Sequence, residues 1–280
     1  MTSTSHELSQ LGEEYRTRPG TPMIGPYSVH QMDDFYAALA RGEVKPTGIM
    51  NYLQRLYIAE RVRPGDRVVD VCCGSGLQLP VLYRYQPELG AYTGLDISAD
   101  NLAQARARLA DLRKQSSSRM SIDFHEIDVA QPWPVTGPFD VAVYTSALEH
   151  LPRERGIASL RHAATALAPN GQLYLSTPNT PGDPPRKLQH RVHVYEWSHA
   201  ELTAVLDEVG LDIVTVVGIL PPQTREATEE AVYKRFGDGG AALYHSLREN
   251  APDALLGPVV STALAEDASE VLYVCVRRTT

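Results

Sequence analysis

The stretch VVDVCCGSG, residues 68 to 76, puts an acid, two thiols and two glycines where a strand meets a turn. Gly74 and Gly76 can adopt positive φ, and without side chains they let the backbone come close to a ligand. Asp96 follows about twenty residues on, in GLDIS, the spacing at which a strand-end carboxylate meets a ribose diol. A third acid, Asp128, stands in HEIDVAQPW. A glycine turn alone is a weak signal. Joined to two strand-end acids, it describes a site for a nucleoside-bearing cofactor.

Cys72 and Cys73 raise a different chemistry, that of zinc or a nucleophilic thiol. Structural zinc takes four ligands in a tetrahedron, and these adjacent thiols have no second cysteine pair, only Cys275 far along the chain. Neighbouring side chains at a strand end also point to opposite faces. The pair therefore reads as small spacers beside the glycine turn, and no metal is expected there or elsewhere.

Elements of two kinds alternate from Arg67 onward. RVVDVC, AYTGLDI, SIDFHEID, FDVAVYTS and GQLYLST read as short strands bounded by turns. SADNLAQARARLADL places Leu102, Ala105, Leu109 and Leu112 on one helical face, with Ser98 as its N-cap. RERGIASLRHAATALAPNG repeats that period with Ile157, Leu160, Ala164 and Leu167, and stops at PNG. Such alternation implies a parallel sheet covered on both faces. Ligands then collect beyond the carboxyl ends of the strands, where the glycine turn and the acids lie. A helix starting near Gly76, with Pro80 in its first turn, would add free N–H groups to that edge.

SHAELTAVLDEVG has the capping-box spacing from Ser198 to Glu201 and ends at Gly210. LDIVTVVGI and SEVLYVCVRR supply two more strands, separated by an excursion too long for an ordinary connection. REATEEAVYKRF and GGAALYHSLRENA within it read as helices, as do SVHQMDDFYAALARGE and TGIMNYLQRLYIAERV before the first strand. The expected organisation is an N-terminal helical cap or lid over 1–60, a core over 61–220, and a helical insertion over 221–268. The last core strand, 269–280, completes one overall domain.

The 280 residues are 43% hydrophobic, 21% charged and carry a formal charge of -8. Lys and Arg form no run that would grip nucleic acid, and the densest basic stretch, Arg106 to Arg119, includes Asp111. No eighteen apolar residues run together, so no membrane span is expected. Three sparse cysteines and a polar beginning, MTSTSHELSQ, fit a cytoplasmic protein without a signal peptide. Composition leaves a monomer and a homodimer both open.

VVDVCCGSG, GLDIS, IDVAQPW, FDVAVYTSALEHL and LAPNGQLYLSTPN occur in the order found in class I S-adenosylmethionine-dependent methyltransferases. The chain resembles that family over roughly residues 60 to 220 and again at the last strand. The resemblance implies a Rossmann-like seven-stranded, mostly parallel α/β sheet with flanking helices, binding S-adenosyl-L-methionine. It also assigns residues. Asp70, Gly74 and Gly76 surround the amino-acid end of the cofactor, with Cys72 where a glycine is usual. Asp96 holds the ribose, with Ile97 beside the adenine. Asp128, followed by Val129, meets the adenine amino group. Ser146, Glu149 and His150 follow the fourth strand, where cofactor and acceptor meet. HRVHVYEWSHAELTAVLDEVGL resembles the segment of small-molecule members in which a loop bearing histidines and aromatics leads into a helix.

Methyl transfer from a sulfonium is an in-line displacement that rests on positioning and desolvation. A hydroxyl acceptor gains from a general base, and histidine titrates in the right range. His150, His190 and His193 are the candidates, each weighed against a plain structural role in its turn or loop. Glu149, Tyr195 and Trp197 are expected to line the acceptor pocket. Oxygen is the favoured acceptor atom, with carbon and nitrogen of a metabolite as alternatives. Two rival functions remain: a noncatalytic protein that kept a nucleoside site, and a nicotinamide-dependent oxidoreductase, whose glycine spacing fits this chain poorly.

Overall fold

The computed structural model describes Gly42 and residues 46–278, apart from 116, 117 and 136. The helix expected over SVHQMDDFYAALARGE and the rest of the N-terminal cap before residue 46 lie outside the described residues, Gly42 excepted. Helix α1 (Pro46–Ala59) opens the described fold and precedes β1 (Arg67–Val71), α2 (Leu79–Tyr85) and β2 (Ala91–Asp96). Then come α3 (Ala99–Gln115), β3 (Ser121–Glu126), β4 (Phe139–Thr145) and α4 (Arg153–Ala166). The chain ends through β5 (Leu167–Pro178), α5 (His199–Glu208), β6 (Leu211–Leu220), α6 (Arg225–Asn250), α7 (Asp253–Leu264) and β7 (Glu270–Arg277).

The seven strands form one sheet in the order β3-β2-β1-β4-β5-β7-β6. The pairs β1–β2, β1–β4, β2–β3 and β4–β5 are parallel, while β7 runs antiparallel to both β5 and β6. Central strands are apolar on both sides because both faces are covered. On β4, Val141 and Val143 join a core with residues of α1, α2 and α3. Ala142 and Tyr144 point the other way, into a core with α4, α5 and parts of α6 and α7.

Local chemistry accounts for where the boundaries differ from the sequence reading. Helix α2 begins at Leu79 rather than near Gly76, because Gly74 and Gly76 take φ of 55° and 74° and cannot continue a helix. The turn itself, not a helix end, therefore faces the ligand edge. Helix α4 stops at Ala166, short of PNG, since Leu167 is drawn into the sheet opposite Phe139. By contrast, the two helices expected in the insertion are both present within α6, separated at Gly237 (φ 64°, ψ -160°). Ser98 caps α3 by accepting from the Asn101 N–H at 3.2 Å. Ser198 caps α5 likewise, but Glu201 does not close the capping box. Its carboxylate is taken by Arg153, Arg186 and the Tyr195 hydroxyl.

Helix α7 lies directly on β6. A Cβ at Gly218 would stand 1.9 Å from the Ser261 carbonyl oxygen, so only glycine admits the helix backbone there. Gly218→Ala should accordingly cost stability on the scale of core overpacking, about 1–3 kcal/mol, read as a lower midpoint in thermal unfolding.

Candidate active site

The carboxyl edge of the central strands carries two backbone irregularities. Cys72, after β1, and Ser146, after β4, are non-glycine residues at φ 56° and 49°. Such conformations persist only where the surroundings enforce them, and they gather at functional sites. Because β1 and β4 are neighbours, the two positions flank one crevice.

On the β1–β2 side, Asp96 is 6% exposed. It accepts from the Gly74 N–H at 2.8 Å, the Ser98 N–H at 2.9 Å and the Asn101 amide at 3.2 Å. A carboxylate offers about four lone-pair positions, so one stays free for a ribose hydroxyl. A second hydroxyl would take the place of Asn101. A Cβ on Gly74 would meet no atom within 4 Å, leaving open room above the turn, whereas one on Gly76 would touch the Ala105 Cβ at 3.0 Å. Gly74 thus borders open space, and Gly76 admits the close approach of α3. Ile97, beside Asp96, is 67% exposed and presents an apolar surface there. These features fit a nucleoside-bearing cofactor.

Asp128 is held by Arg155 at 2.5 Å and by the Ala130 N–H at 3.1 Å. Its hydrogen bond to the Arg155 guanidinium keeps it below the usual carboxylate range. Val129 is buried in the core and anchors this turn from behind. Asp70 is also buried and accepts from the Tyr92 hydroxyl at 2.5 Å. Burial pushes its carboxyl up to about 7.

The thiols behave as packing. Burial pushes the Cys72 thiol up to about 12 and Cys73 higher still, so neither is a thiolate near neutrality. The Cys73 sulfur occupies the room left by Gly94, where a Cβ would lie 2.9 Å from it. Replacing both by alanine should cost about 1–3 kcal/mol of stability and leave cofactor affinity within a few-fold. Calorimetric titration and thermal unfolding check both halves.

On the β4–β5 side, the short turn Leu148–His150 presents Glu149 and His150. The Glu149 carbonyl accepts from the Val194 and Tyr195 N–H groups, stitching the histidine loop to this turn. The Glu149 carboxylate, 3% exposed, accepts from the Thr177 hydroxyl at 3.1 Å. Burial raises its pKa above the usual range. The His150 and His193 rings stand 5.3 Å apart, and those of His190 and His193 5.4 Å. All three sequence candidates therefore meet in one cluster.

Their tautomers differ. His150 Nδ1 faces the Val192 carbonyl at 3.3 Å, and His193 Nδ1 faces the Glu196 carboxylate. Both partners are acceptors, so each Nδ1 carries a proton, and Nε2 is the ring nitrogen that can offer a lone pair. His190 Nδ1 instead accepts from the Val192 N–H at 3.4 Å, which places its proton on Nε2.

Trp197 corrects an expectation. It is 0% exposed and packs in the core against Leu148 and α4 through Gly156, so it supports the pocket from behind rather than lining it. Tyr195 is tied by its hydroxyl to Glu201 at 2.7 Å and stands edge-on to Trp197.

Sequence reading passed over two acids. Glu196, almost fully buried, gathers the Gln189 N–H, the Thr180 hydroxyl and His193. Burial alone would raise its pKa, but these hydrogen bonds prevail and lower it. Glu270 heads β7 and, because that strand is antiparallel, lies at the carboxyl edge opposite Pro178. Ser146 Oγ donates to it at 3.5 Å. Burial, then the charge of Glu149, pushes its carboxyl well above the usual range. An acid at the head of the apolar run EVLYVCV was the available signal.

Comparison with known proteins identifies the family. A family model described as a methyltransferase domain matches residues 44–216. The chain is 35% identical over 169 residues to ubiquinone biosynthesis O-methyltransferase of Xanthomonas campestris pv. campestris (strain B100). That match takes in 56% of this chain and 65% of the relative, slightly under two thirds of its length. The enzyme of the same description from Xanthomonas axonopodis pv. citri (strain 306) is 32% identical over 213 residues, 68% of this chain and 84% of that one. Among solved structures, the YcgJ protein of Bacillus subtilis superposes with a TM-score of 0.53 at 16% identity, over 82% of this chain and all of that one. The cyclase SpnF superposes with a TM-score of 0.52 at 20% identity, over 81% of this chain and 80% of that one. These two likenesses speak for the fold alone. With the family model covering more than half its length, the chain belongs to the methyltransferase-domain family, as a class I S-adenosylmethionine-dependent methyltransferase.

Proposed function

We propose that this methyltransferase acts on an oxygen of a small-molecule acceptor, seated between the Ser146–His150 turn and the histidine loop. The observation that carries the reading is the cluster at the end of β4. Two imidazoles with free Nε2 lone pairs stand beside one buried carboxylate, where a hydroxyl proton can be received. The relatives' description as O-methyltransferases supports oxygen. Val192 and Val194, both about half exposed on the same loop, favour an acceptor with an apolar body.

When bound, S-adenosylmethionine supplies a methyl group on a positively charged sulfur, which needs no covalent help from the protein. Gly74 and Gly76 would shape the turn against it, and Asp96 would take a ribose hydroxyl. Ile97 would cover one face of the base, and Asp128 the amino group at its rim. Cys72 and Ser146 would border the channel between cofactor and acceptor. The histidine loop, fastened through Glu149 and Glu196, would exclude water and hold the acceptor oxygen in line. Its hydroxyl proton would pass to the Glu149–His150–His193 cluster, while His190, protonated at Nε2, would donate a hydrogen bond.

A screen with isotope-labelled S-adenosylmethionine tests this against phenolic, amine and carbon-acid acceptors, with mass spectrometry locating the methyl group. Label on oxygen is the expected result. Label confined to nitrogen or carbon would overturn the oxygen reading.

A further inference from the structure

We propose that Glu196 is the positioning residue that makes His193 the general base of the reaction: its carboxylate holds Nδ1 of the ring, so that Nε2 receives the hydroxyl proton of the acceptor. The proposal rests on the reading that this pocket receives an oxygen acceptor. It narrows the proton's destination from a cluster to one nitrogen.

The three rings are not equivalent. His150 and His190 are exposed, whereas the His193 side chain is 13% exposed and the Glu196 side chain behind it 0%. His190 carries its proton on Nε2, so that nitrogen donates toward the acceptor and cannot receive. His150 Nδ1 meets a neutral carbonyl at 3.3 Å. Among the described residues, His193 is the histidine whose ring nitrogen meets a carboxylate. The difference shows once a proton arrives. An imidazolium formed at His193 lies against a negative charge closed off from water, where a charge-assisted hydrogen bond is about twice as strong as a neutral one. One formed at His150 has only a carbonyl dipole beside it, in solvent. A carboxylate behind a histidine fixes its tautomer and stabilises the imidazolium, as in the acid–histidine pairs of hydrolases.

Glu196 is built to stay in place and charged. Its two oxygens accept from the Gln189 N–H at 2.7 and 2.9 Å, from the Thr180 hydroxyl at 2.5 Å and from the His190 N–H at 3.4 Å. Burial opposes its charge, and the bonds from Thr180, Gln189 and His193 outweigh it. The Gln189 side chain in turn donates to the Asn179 carbonyl at 3.1 Å, the Thr180 hydroxyl at 3.0 Å and the Ser269 carbonyl at 3.1 Å. Arg186 donates to the Glu196 carbonyl at 2.9 Å and pairs with Glu201 at 2.8 Å. Carboxylate and main chain of residue 196 are thus both fastened to the end of β5 and the start of β7, and a base is aimed best from such rigid elements. The other titratable groups facing His193 are Glu149 and His150 on the turn after β4, and His190 on its own loop. Glu270 on β7 is near enough to Glu149 and Glu196 to feel their charge. In the transfer, the acceptor oxygen bonds to the methyl carbon and the carbon–sulfur electron pair stays on sulfur. The hydroxyl proton goes to His193 Nε2, and from there to water once the product has left.

Two measurements on the full chain test this. With ¹⁵N-labelled histidine, and His193→Ala to assign the signal, NMR at pH 8 should show the His193 proton on Nδ1. Glu196→Ala should move it largely to Nε2, the tautomer free imidazole side chains prefer. The second measurement is single-turnover methylation of 4-butylphenol. Glu196→Gln should slow it by about 10–100-fold, and His193→Ala by about 10²–10⁴-fold. Glu196→Asp, which keeps the charge, should recover part of the rate. Affinity for S-adenosylmethionine should stay unchanged throughout and show that the variants are folded. Adding Glu196→Gln to His193→Ala should cost less than about twofold more, since the two act as a unit. With 4-nitrophenol, mostly ionised at pH 8, the Glu196→Gln loss should shrink to within about threefold, because no proton needs removing. A residue that only shapes the loop would slow both phenols alike and add its loss to that of His193→Ala. A wild-type His193 proton on Nε2, equal losses for the two phenols, or additive losses would each overturn the proposal and leave oxygen methylation standing. Label entering neither phenol would overturn the oxygen reading instead, and the NMR result would still decide whether Glu196 holds the ring.

Discussion

Replacing Asp96 by alanine should weaken S-adenosylmethionine binding by roughly two to four orders of magnitude. The carboxylate has two tasks at once. It has a lone-pair position open to a ribose hydroxyl, and it pins the turn by accepting from the Gly74 and Ser98 N–H groups. A hydrogen bond to a charged group contributes about 1.5–3 kcal/mol, and each 1.36 kcal/mol is about tenfold. Losing the ribose contact and the turn anchor together gives about 3–6 kcal/mol. Asp96→Asn, which keeps one acceptor oxygen, should fall between. Gly74→Val should match the alanine variant by another route, since a β-branched residue is strained at φ 55° and its methyls would fill the ligand's space. Calorimetric titration of the three variants measures this. Wild-type affinity in Asp96→Ala would remove the acid from the cofactor site.

The second large effect runs toward stability. Asp70→Asn should raise the unfolding midpoint at pH 8 by roughly 2–10 °C. Asp70 is buried, and its carboxyl is pushed from 3.8 to about 7. In the unfolded chain it ionises near 3.8, so over pH 4 to 7 the unfolded state sheds a proton that the folded state keeps. Wild-type stability therefore falls across that window and levels off above it, by roughly 4 kcal/mol. Asparagine escapes this penalty and still accepts from Tyr92, although its buried NH₂ gives back about 1–3 kcal/mol. The gain should thus be present at pH 8 and shrink steadily toward pH 4. Equal gains at pH 5 and pH 8 would show that Asp70 is ionised inside the fold throughout. Cofactor affinity of the same variant tells whether the stability cost of Asp70 is borne for binding.

The sheet was legible because its strands are buried on both faces and read as unbroken apolar runs between turn residues. The candidate nucleoside edge was legible because glycines and strand-end acids have fixed spacing along βαβ units. What the sequence obscured was set by contacts between distant segments. Trp197 in VYEWS has the composition of a pocket wall, yet its ring is claimed by the core. Glu201 has the spacing of a capping box, yet two arginines hold its carboxylate. Glu270 acquires meaning only once β7 is known to run backward, since a parallel strand would have buried that acid at the far edge. The three histidines were visible, but which ring nitrogen each leaves free depends on Val192 and Glu196, and residue spacing does not encode that.

The reversed strand also determines how the chain can vary. Leu220, where β6 ends, and Glu270, where β7 begins, are register partners, so the insertion leaves and re-enters the sheet at adjacent points. It therefore hangs from a closed hairpin, and its solvent-facing parts can change in length and sequence so long as α7 keeps its seat on β6. Both junctions lie at the edge that carries the chemistry. A change there would reshape the surroundings of the acceptor while the glycine turn, Asp96 and the central strands stayed as they are. One scaffold would in this way serve different acceptors through the outer part of a module that enters and leaves it at two neighbouring residues.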